Sequence, residues 1–500
     1  MTEVIPFKKP ALQSQLQEPF NVVLKKCQWQ LLTTVIVSLV VHFLFFGDYY
    51  YTFDDSYVFH VYARNLANGY GFSFNPGEIS HAATPMLTFV LAIQHFLFGG
   101  SALISAKIIN LGFSLLAAVL LFLIAYRISG NEWIALGTAI VWAASPLEAI
   151  LSAGPQDFAL FTFLILLSVY FYLTRPKSLW IYFFLSLMIL TRYEGILLAG
   201  LLFLNHIYVE WKEHDLSWKE VVFRLLLLSF LPAIWFAYIG THSTLLPSSG
   251  SAKLNPWVLR QIPHFVAGMA IFFFPPLIFA ALAASIATLR ERVPRLIFLF
   301  VWVTFCLFFY GPFLDNRRYY VHLIPFIALF SLMYLTSVSK RYFESFQLAK
   351  FFLRGVLLLS FLSYLGTIPY YYEQTRGQYR TTTYPAYKQA GVWINENTPS
   401  DKSIALEEIG VIPYFAERRV VDFSGWLDLK SKQFREKAEG INPEMMTYLS
   451  TKKPDYLIIN TDFVSPQRQQ MLNSDPRLKI VHQVPVLKNN ALIIYQCDWK

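Results

Sequence analysis

Charge is scarce in this sequence. Asp, Glu, Lys and Arg supply 15% of its 500 residues, against about 25% in ordinary soluble domains, while hydrophobic residues reach 55% against about 45–50%. So small a share of charge excludes a chain whose whole surface meets water and points to lipid. Cysteine is scarcer still: Cys27, Cys306 and Cys497 are the only three, so neither a disulfide framework nor a zinc site with paired ligand spacing is expected. Internal repeats and low-complexity linkers are also missing, which removes repeat architectures. No apolar run stands alone at the N-terminus behind a small-residue cleavage site, so the first run is expected to be a retained anchor. The net charge is +9, yet the Lys and Arg sit in short clusters between apolar runs instead of along one face. Membrane topology explains that pattern better than nucleic acid does.

What is present is a series of apolar segments of roughly the 20 residues that cross a bilayer. Candidate spans lie near 30–47, 101–126, 132–150, 157–174, 179–191, 195–209, 221–240, 264–289, 295–311, 318–338 and 350–369. The fold class expected is therefore an α-helical polytopic membrane protein of about 11 spans. A cytoplasmic tail covers 1–29, a transmembrane domain 30–370, and a small soluble α/β domain 384–500, outside the cytoplasm. In that tail an amphipathic stretch, Tyr387 to Asn397, precedes strand-like runs at Ser403–Leu406, Val420–Phe423, Tyr456–Ile459 and Leu492–Tyr495.

Orientation follows from the short loops, where Lys and Arg collect on the cytoplasmic side. Lys8, Lys9, Lys25 and Lys26 put the N-terminus inside; Arg127, then Arg175 and Lys177, then Arg290, Arg292 and Arg295, then Lys340, Arg341 and Lys350 alternate consistently with it. Arg317 and Arg318 break the rule on the outer side. The stretch Ala83 to Phe98 is about 16 residues long and holds Gln94 and His95, so it is expected to be an interfacial or re-entrant helix inside a long outer loop, roughly 48–100.

The residues with chemistry lie on the outer side. Asp54-Asp55 opens an amphipathic helix that runs to Asn68. One reading makes these carboxylates a cap for that helix; the other makes them catalytic. Asp157 begins a span, where an N-cap role and a functional one both fit. Arg192 and Glu194 interrupt an apolar stretch of about 32 residues, Ser178 to Val209, which at 1.5 Å per residue is short for two full crossings and a surface loop. Their turn is therefore expected below the outer surface, where ionisable groups usually serve function, although a mutual salt bridge is the plainer account. The segment His242 to Lys253 offers hydroxyls and a Lys, as a phosphate site or an ordinary loop. Carboxylates and cations facing one cavity suit glycosyl transfer from a lipid phosphate, which needs a base for the acceptor hydroxyl and a cation for the departing phosphate.

The string Asp54-Asp55-Ser56-Tyr57, with Tyr62-Ala63-Arg64-Asn65-Leu66-Ala67-Asn68-Gly69-Tyr70-Gly71 and Phe74-Asn75-Pro76-Gly77-Glu78, resembles GT-C fold glycosyltransferases. That group includes protein O-mannosyltransferases, aminoarabinose transferases of lipid A and terminal arabinofuranosyltransferases, and the last branch is the most similar. Leu190-Thr191-Arg192-Tyr193-Glu194-Gly195 and Leu245-Leu246-Pro247 with Ala252-Lys253 are similar to strings of that branch, with Tyr193 where Pro is usual and Ser248 where Asn is usual, and the segment from Ile409-Gly410 through Val421-Asp422-Phe423-Ser424-Gly425-Trp426-Leu427-Asp428 resembles the exported C-terminal part of these proteins. The resemblance implies Asp54 as catalytic base with Asp55 beside it. It also implies a second acidic residue, matched by Asp157, and a donor-phosphate or substrate set of Arg192, Glu194, Asp157, Lys253 and Arg64. The expected function is an inverting transferase that moves a monosaccharide from a polyprenyl-phosphate donor to an extracytoplasmic glycan, lipid or protein. No cofactor is expected, a divalent cation is left open, and the partners are the lipid-linked sugar, the acceptor and the bilayer. A lipid-linked-sugar transporter or flippase is the rival reading, though the internal repeats of many transporters are missing; a non-catalytic glycan-binding membrane protein is the second.

Overall fold

The computed structural model describes residues 18–46, 54–99, 102–154, 156–241, 321–342, 383–428, 441–486 and 490–499, with isolated positions among 299–303, 347–373 and 431–434. The chain divides into two compact units. One comprises Met1–Gly47, Lys107–Ile234 and Asn255–Tyr371; the other comprises Asp48–Ala106, Trp235–Leu254 and Tyr372–Lys500.

The first unit is helical, because a segment in hydrocarbon must satisfy its own backbone hydrogen bonds. Three helices, Gln28–Phe46, Leu103–Ser129 and Trp218–Gly240, are each long and apolar enough to cross a bilayer, which makes the chain an integral membrane protein. Helices Glu132–Ala143 and Pro146–Ala153 count as a fourth span if taken together, and they bend by 52° at their break. The bend has a local cause: Pro146 lacks an N–H at the first turn, and the Ser145 hydroxyl accepts the Glu148 N–H there. Apolar helices Phe158–Thr174 and Trp180–Thr191 follow, then Gly195–Lys212 and Ile324–Tyr342. The expected spans at 264–289, 295–311 and most of 350–369 lie outside the described residues.

The second unit joins the segment after the first span to the C-terminal segment. Helix Asp54–Ala67 leads into a small hairpin of β1 (Ser73–Asn75) and β2 (Glu78–Ile79), which turns at Gly77 with φ +80°, a conformation that favours glycine. Helix Pro85–Phe98 comes next. Its 14 residues span about 21 Å at 1.5 Å each, short of the roughly 30 Å of hydrocarbon. It buries Leu87 and Leu91 while leaving Ile93, Phe96 and Leu97 exposed.

The C-terminal part of this unit is a five-stranded sheet of β3 (Ser403–Leu406), β4 (Arg419–Asp422), β5 (Tyr456–Asn460), β6 (Leu478–Pro485) and β7 (Ala491–Cys497), in the order β4-β3-β5-β7-β6. Strands β4, β3 and β5 run parallel, and β7 and β6 extend them antiparallel. Ala405, Leu457, Ile459, Ile493 and Tyr495 alternate onto one face and pack with Met445, Leu449 and Leu472 from helices Pro443–Lys452 and Pro466–Ser474. The hairpin is tied to the edge strand by a side chain acting as a backbone: the Asn75 amide donates to the Val420 carbonyl at 2.9 Å and accepts the Val420 N–H at 2.8 Å. That pairing blunts an open strand edge.

Candidate functional site

Asp54 begins helix Asp54–Ala67, yet its carboxylate serves another part of the chain. One oxygen accepts the Gly410 N–H at 2.9 Å and the other the Val411 N–H at 2.7 Å, at the start of the short helix Val411–Ala416. The cap suggested for the 54–67 helix is thus a cap on a helix more than 350 positions away. Only glycine fits at 410, since a Cβ there would overlap the Asp54 carbonyl and carboxyl group. Burial drives the Asp54 carboxyl up to about 7; the Val411 N–H pulls it down, neighbouring Asp55 pushes it up, and the Gly410 N–H pulls it down. A carboxyl that changes charge near neutrality is what a general base requires. Asp55 follows in the first turn of the same helix.

Arg64, one helical face further along, is engaged by the tail segment. Its Nη1 donates to the Glu417 carboxylate at 2.6 Å and to the Tyr414 carbonyl at 3.0 Å, and the guanidinium lies 5.2 Å from the centre of the Tyr414 ring. Tyr57 packs its ring at 5.4 Å from both Tyr384 and Tyr414. Much of the string that begins at Asp54 therefore builds the contact between the segment after the first span and the C-terminal sheet. The tail string has a similar local duty: the Asp422 carboxylate accepts the Ser424 and Leu427 N–H groups at 2.7 and 2.6 Å and folds the loop after β4.

In the first unit Asp157, Arg192 and Glu194 form one cluster. Arg192 donates from Nη1 to Asp157 at 2.7 Å and from Nε to Glu194 at 2.6 Å, and its guanidinium stands 4.3 Å from the centre of the Phe158 ring. Asp157 occupies the N-cap position of helix Phe158–Thr174 without a side-chain cap bond, so its carboxylate is turned to Arg192 instead. Arg192 is 7% exposed and follows helix Trp180–Thr191, whose 12 residues reach about 18 Å, short of a crossing. Held between two carboxylates, the guanidinium has a fixed plane.

Lys253, with the segment His242 to Pro263, and Arg317 and Arg318 lie outside the described residues. Among the described residues no three His, Cys, Asp or Glu side chains gather as a metal site would need. The sequence reading missed a second buried polar pair in the first unit: His42 Nε2 stands 2.8 Å from Glu148 Oε2, each 2% exposed, and the opposite ring nitrogen meets the Ser38 carbonyl at 2.6 Å. Ionisable residues inside two apolar runs are the signal that would have found it.

A family model described as Domain of unknown function (DUF8728) matches residues 365–495. A comparison with curated proteins gives no match. Among solved structures, ArnT from Cupriavidus metallidurans in the apo state is similar at a TM-score of 0.62 and 14% identity, over 93% of this chain and 97% of that one. The same protein bound to undecaprenyl phosphate gives 0.63 at 14% identity with the same coverage. The Archaeoglobus fulgidus oligosaccharyltransferase, in complex with Zn and sulfate, gives 0.59 at 13% identity over 89% of this chain and 69% of that one. Identity this low speaks for the fold alone, and the fold these proteins share with the chain is GT-C.

Proposed function

We propose that this chain is an inverting glycosyltransferase, nearest to the terminal arabinofuranosyltransferase-like branch, that takes a monosaccharide from a polyprenyl phosphate and gives it to an acceptor outside the cytoplasm. The observation that carries the reading is the Asp54 carboxyl, half-buried, held by two backbone N–H groups and pushed up to about 7. The fold likeness to a protein bound to undecaprenyl phosphate supports the lipid-linked donor, and the likeness to an oligosaccharyltransferase tethered with an acceptor peptide supports an acceptor supplied separately.

In this reading Asp54 takes the proton of the acceptor hydroxyl as its oxygen attacks the anomeric carbon from the face opposite the phosphate. The bond from that carbon to the phosphate oxygen breaks, polyprenyl phosphate departs, and the configuration inverts. Asp55 tunes the base. Arg192, oriented by Asp157 and Glu194, stabilises charge growing on the leaving phosphate, with Lys253 assisting. Arg64 serves by fixing the Asp54 helix to the tail. The N-terminus is cytoplasmic and the C-terminal sheet extracytoplasmic. The test is mass spectrometry of envelope glycans from cells with and without the gene, followed by transfer from polyprenyl-phosphate sugars by the purified protein. Unchanged glycans and no turnover of any such donor would overturn it.

A further inference from the structure

The short helix Val411–Ala416, at whose start two N–H groups hold Asp54, has six residues, too few to stand without outside partners. Helix Tyr384–Asn397 supplies several of them. Gly391 lies so close to the short helix that a Cβ there would stand 2.7 Å from the Ile412 carbonyl oxygen, 2.9 Å from the Phe415 Cβ and 3.3 Å from the Ala416 N. Each of these is a backbone atom or a Cβ fixed to one, so no side-chain rotation makes room; the short helix itself would have to move. Its last carbonyls, which a helix end leaves without partners of its own, are met from outside. The Asn395 amide donates to the Phe415 carbonyl at 3.0 Å, Arg64 to that of Tyr414 at 3.0 Å, and Arg418 Nη1 to that of Ala416 at 3.1 Å. Arg418 also donates from Nη2 to the carbonyls of Asn395 and Thr398, at 2.8 and 2.7 Å, and so ties the ends of the two helices together.

We propose that helix Tyr384–Asn397 sets the position of the Asp54 carboxylate through the helix Val411–Ala416, with Gly391, Asn395 and Arg418 as positioning residues. The proposal rests on the transferase reading in calling Asp54 the base, and on the contacts alone for the positioning. Gly391 fixes the distance between the two helices, Asn395 and Arg418 hold the far end of the shorter one, and its near end offers the Gly410 and Val411 N–H groups to Asp54 at 2.9 and 2.7 Å. Ile412, whose carbonyl meets Gly391, follows Val411 directly. A displacement at Gly391 therefore reaches the N–H pair within one residue. Hydrogen bonds weaken steeply with distance and angle. Bonds to the charged carboxylate favour that form, so weakening them leaves the proton held more firmly. Among the described residues, Asp55 on the same helix and the Tyr387 phenol on helix Tyr384–Asn397 are the titratable groups whose charge reaches Asp54. Gly391 and Asn395 are uncharged, so replacing them moves the N–H groups without altering that field.

The experiment uses the purified full chain in detergent, with transfer from a polyprenyl-phosphate sugar and thermal melting both followed from about pH 5 to about pH 9. Gly391→Ala and Asn395→Leu should each lower kcat at pH 7 about tenfold and keep both KM values. They should also move the midpoint of the pH–rate profile up from about 7 by about one pH unit, the worth of one weakened bond to a charged group. Arg418→Lys keeps the charge, loses the planar fork and should act in the same direction. Trp393→Ala is the control: it removes the ring stacked 4.5 Å from His482 of β6, so melting temperature should fall with the midpoint kept. Midpoints that stay near that of the wild type in both Gly391→Ala and Asn395→Leu, or that move as far in Trp393→Ala, overturn the proposal. Melting gives a reading that needs no turnover. Wild-type stability declines with pH up to about 7, and in Gly391→Ala the decline should run about one pH unit further, a difference that vanishes when Asp54→Asn is added. That result in a protein that turns over no donor overturns the transferase reading and leaves the positioning standing. A decline that ends where the wild type's ends overturns the positioning, whatever the activity.

Discussion

Replacing Asp54 by Asn separates the capping role from the chemical one, and the geometry says how cleanly. The carboxylate offers one oxygen each to the Gly410 and Val411 N–H groups. An amide offers a single oxygen, so one N–H would face the Asn NH2; an orphaned buried donor costs about 1–3 kcal/mol. Against this stands relief from burying a carboxylate. The carboxyl moves from 3.8 to about 7, and at 1.36 kcal/mol per unit the ionised form carries a burden of about 4 kcal/mol at most. The two effects oppose each other, so Asp54→Asn is expected to fold, with stability near that of the wild type at pH 8. Because the folded carboxyl holds its proton more tightly than the unfolded one, wild-type stability falls as pH rises from about 4 to about 7 and levels off above. The Asn variant lacks that slope. Its transfer rate should fall by roughly 10²–10⁴-fold, the usual worth of a general base, and the wild-type rate should rise with pH through about 7. Melting curves at pH 5 and 8, run beside transfer assays from a labelled polyprenyl-phosphate sugar, measure both. A folded Asp54→Asn protein with near wild-type turnover would refute the base, whatever the cap does.

Gly410→Ala places a methyl group against the Asp54 carbonyl and carboxyl, so the base must shift; a misplacement of about 1 Å should cost about 10²-fold in rate with donor affinity kept. Arg192→Lys keeps the charge and loses the planar fork that Asp157 and Glu194 hold, so donor KM should rise about tenfold while the protein still inserts; normal donor affinity in Arg192→Ala would make Arg192 a structural partner only. In a cysteine-free background, a cysteine at Lys452 should label with an impermeant reagent from outside and one at His214 should not; the reverse pattern inverts the orientation.

Local rules read much of this architecture. The strand-like runs at 403–406 and 456–459 stand within a residue of β3 and β5, because alternating apolar residues between polar breaks are a local signal. The 387–397 helix begins three residues earlier, at Tyr384, since Pro385 suits a first turn. Strand β6 was missed: Lys479, His482 and Gln483 interrupt any clean alternation, and the strand is specified by pairing with β7, including an irregular register at Ile480 to His482. The short helix Val411–Ala416 was missed as well. Six residues hold too little periodicity, and its N-terminal cap comes from Asp54.

The candidate residues were legible as types and not as partnerships, and the difference is physical. Asp54 stood out because two adjacent carboxylates opened a helix near lipid, and the nearest helix supplied the obvious duty. A half-buried carboxylate demands more than its own helix offers, so it is met by the N–H groups of Gly410 and Val411. Arg192 stood out by depth, and Glu194 two residues away supplied a plausible partner. Nothing in the spacing revealed that Asp157, 35 positions earlier, would take Nη1 and fix the guanidinium plane from the other side. In both clusters the candidate group is gripped by partners from elsewhere in its own unit, at short distance. Groups held that way need not reorganise as charge moves during reaction, which is where electrostatic catalysis draws its strength. The same grip makes each cluster sensitive to a substitution at a partner that performs no chemistry, Gly410 for Asp54 and Asp157 for Arg192.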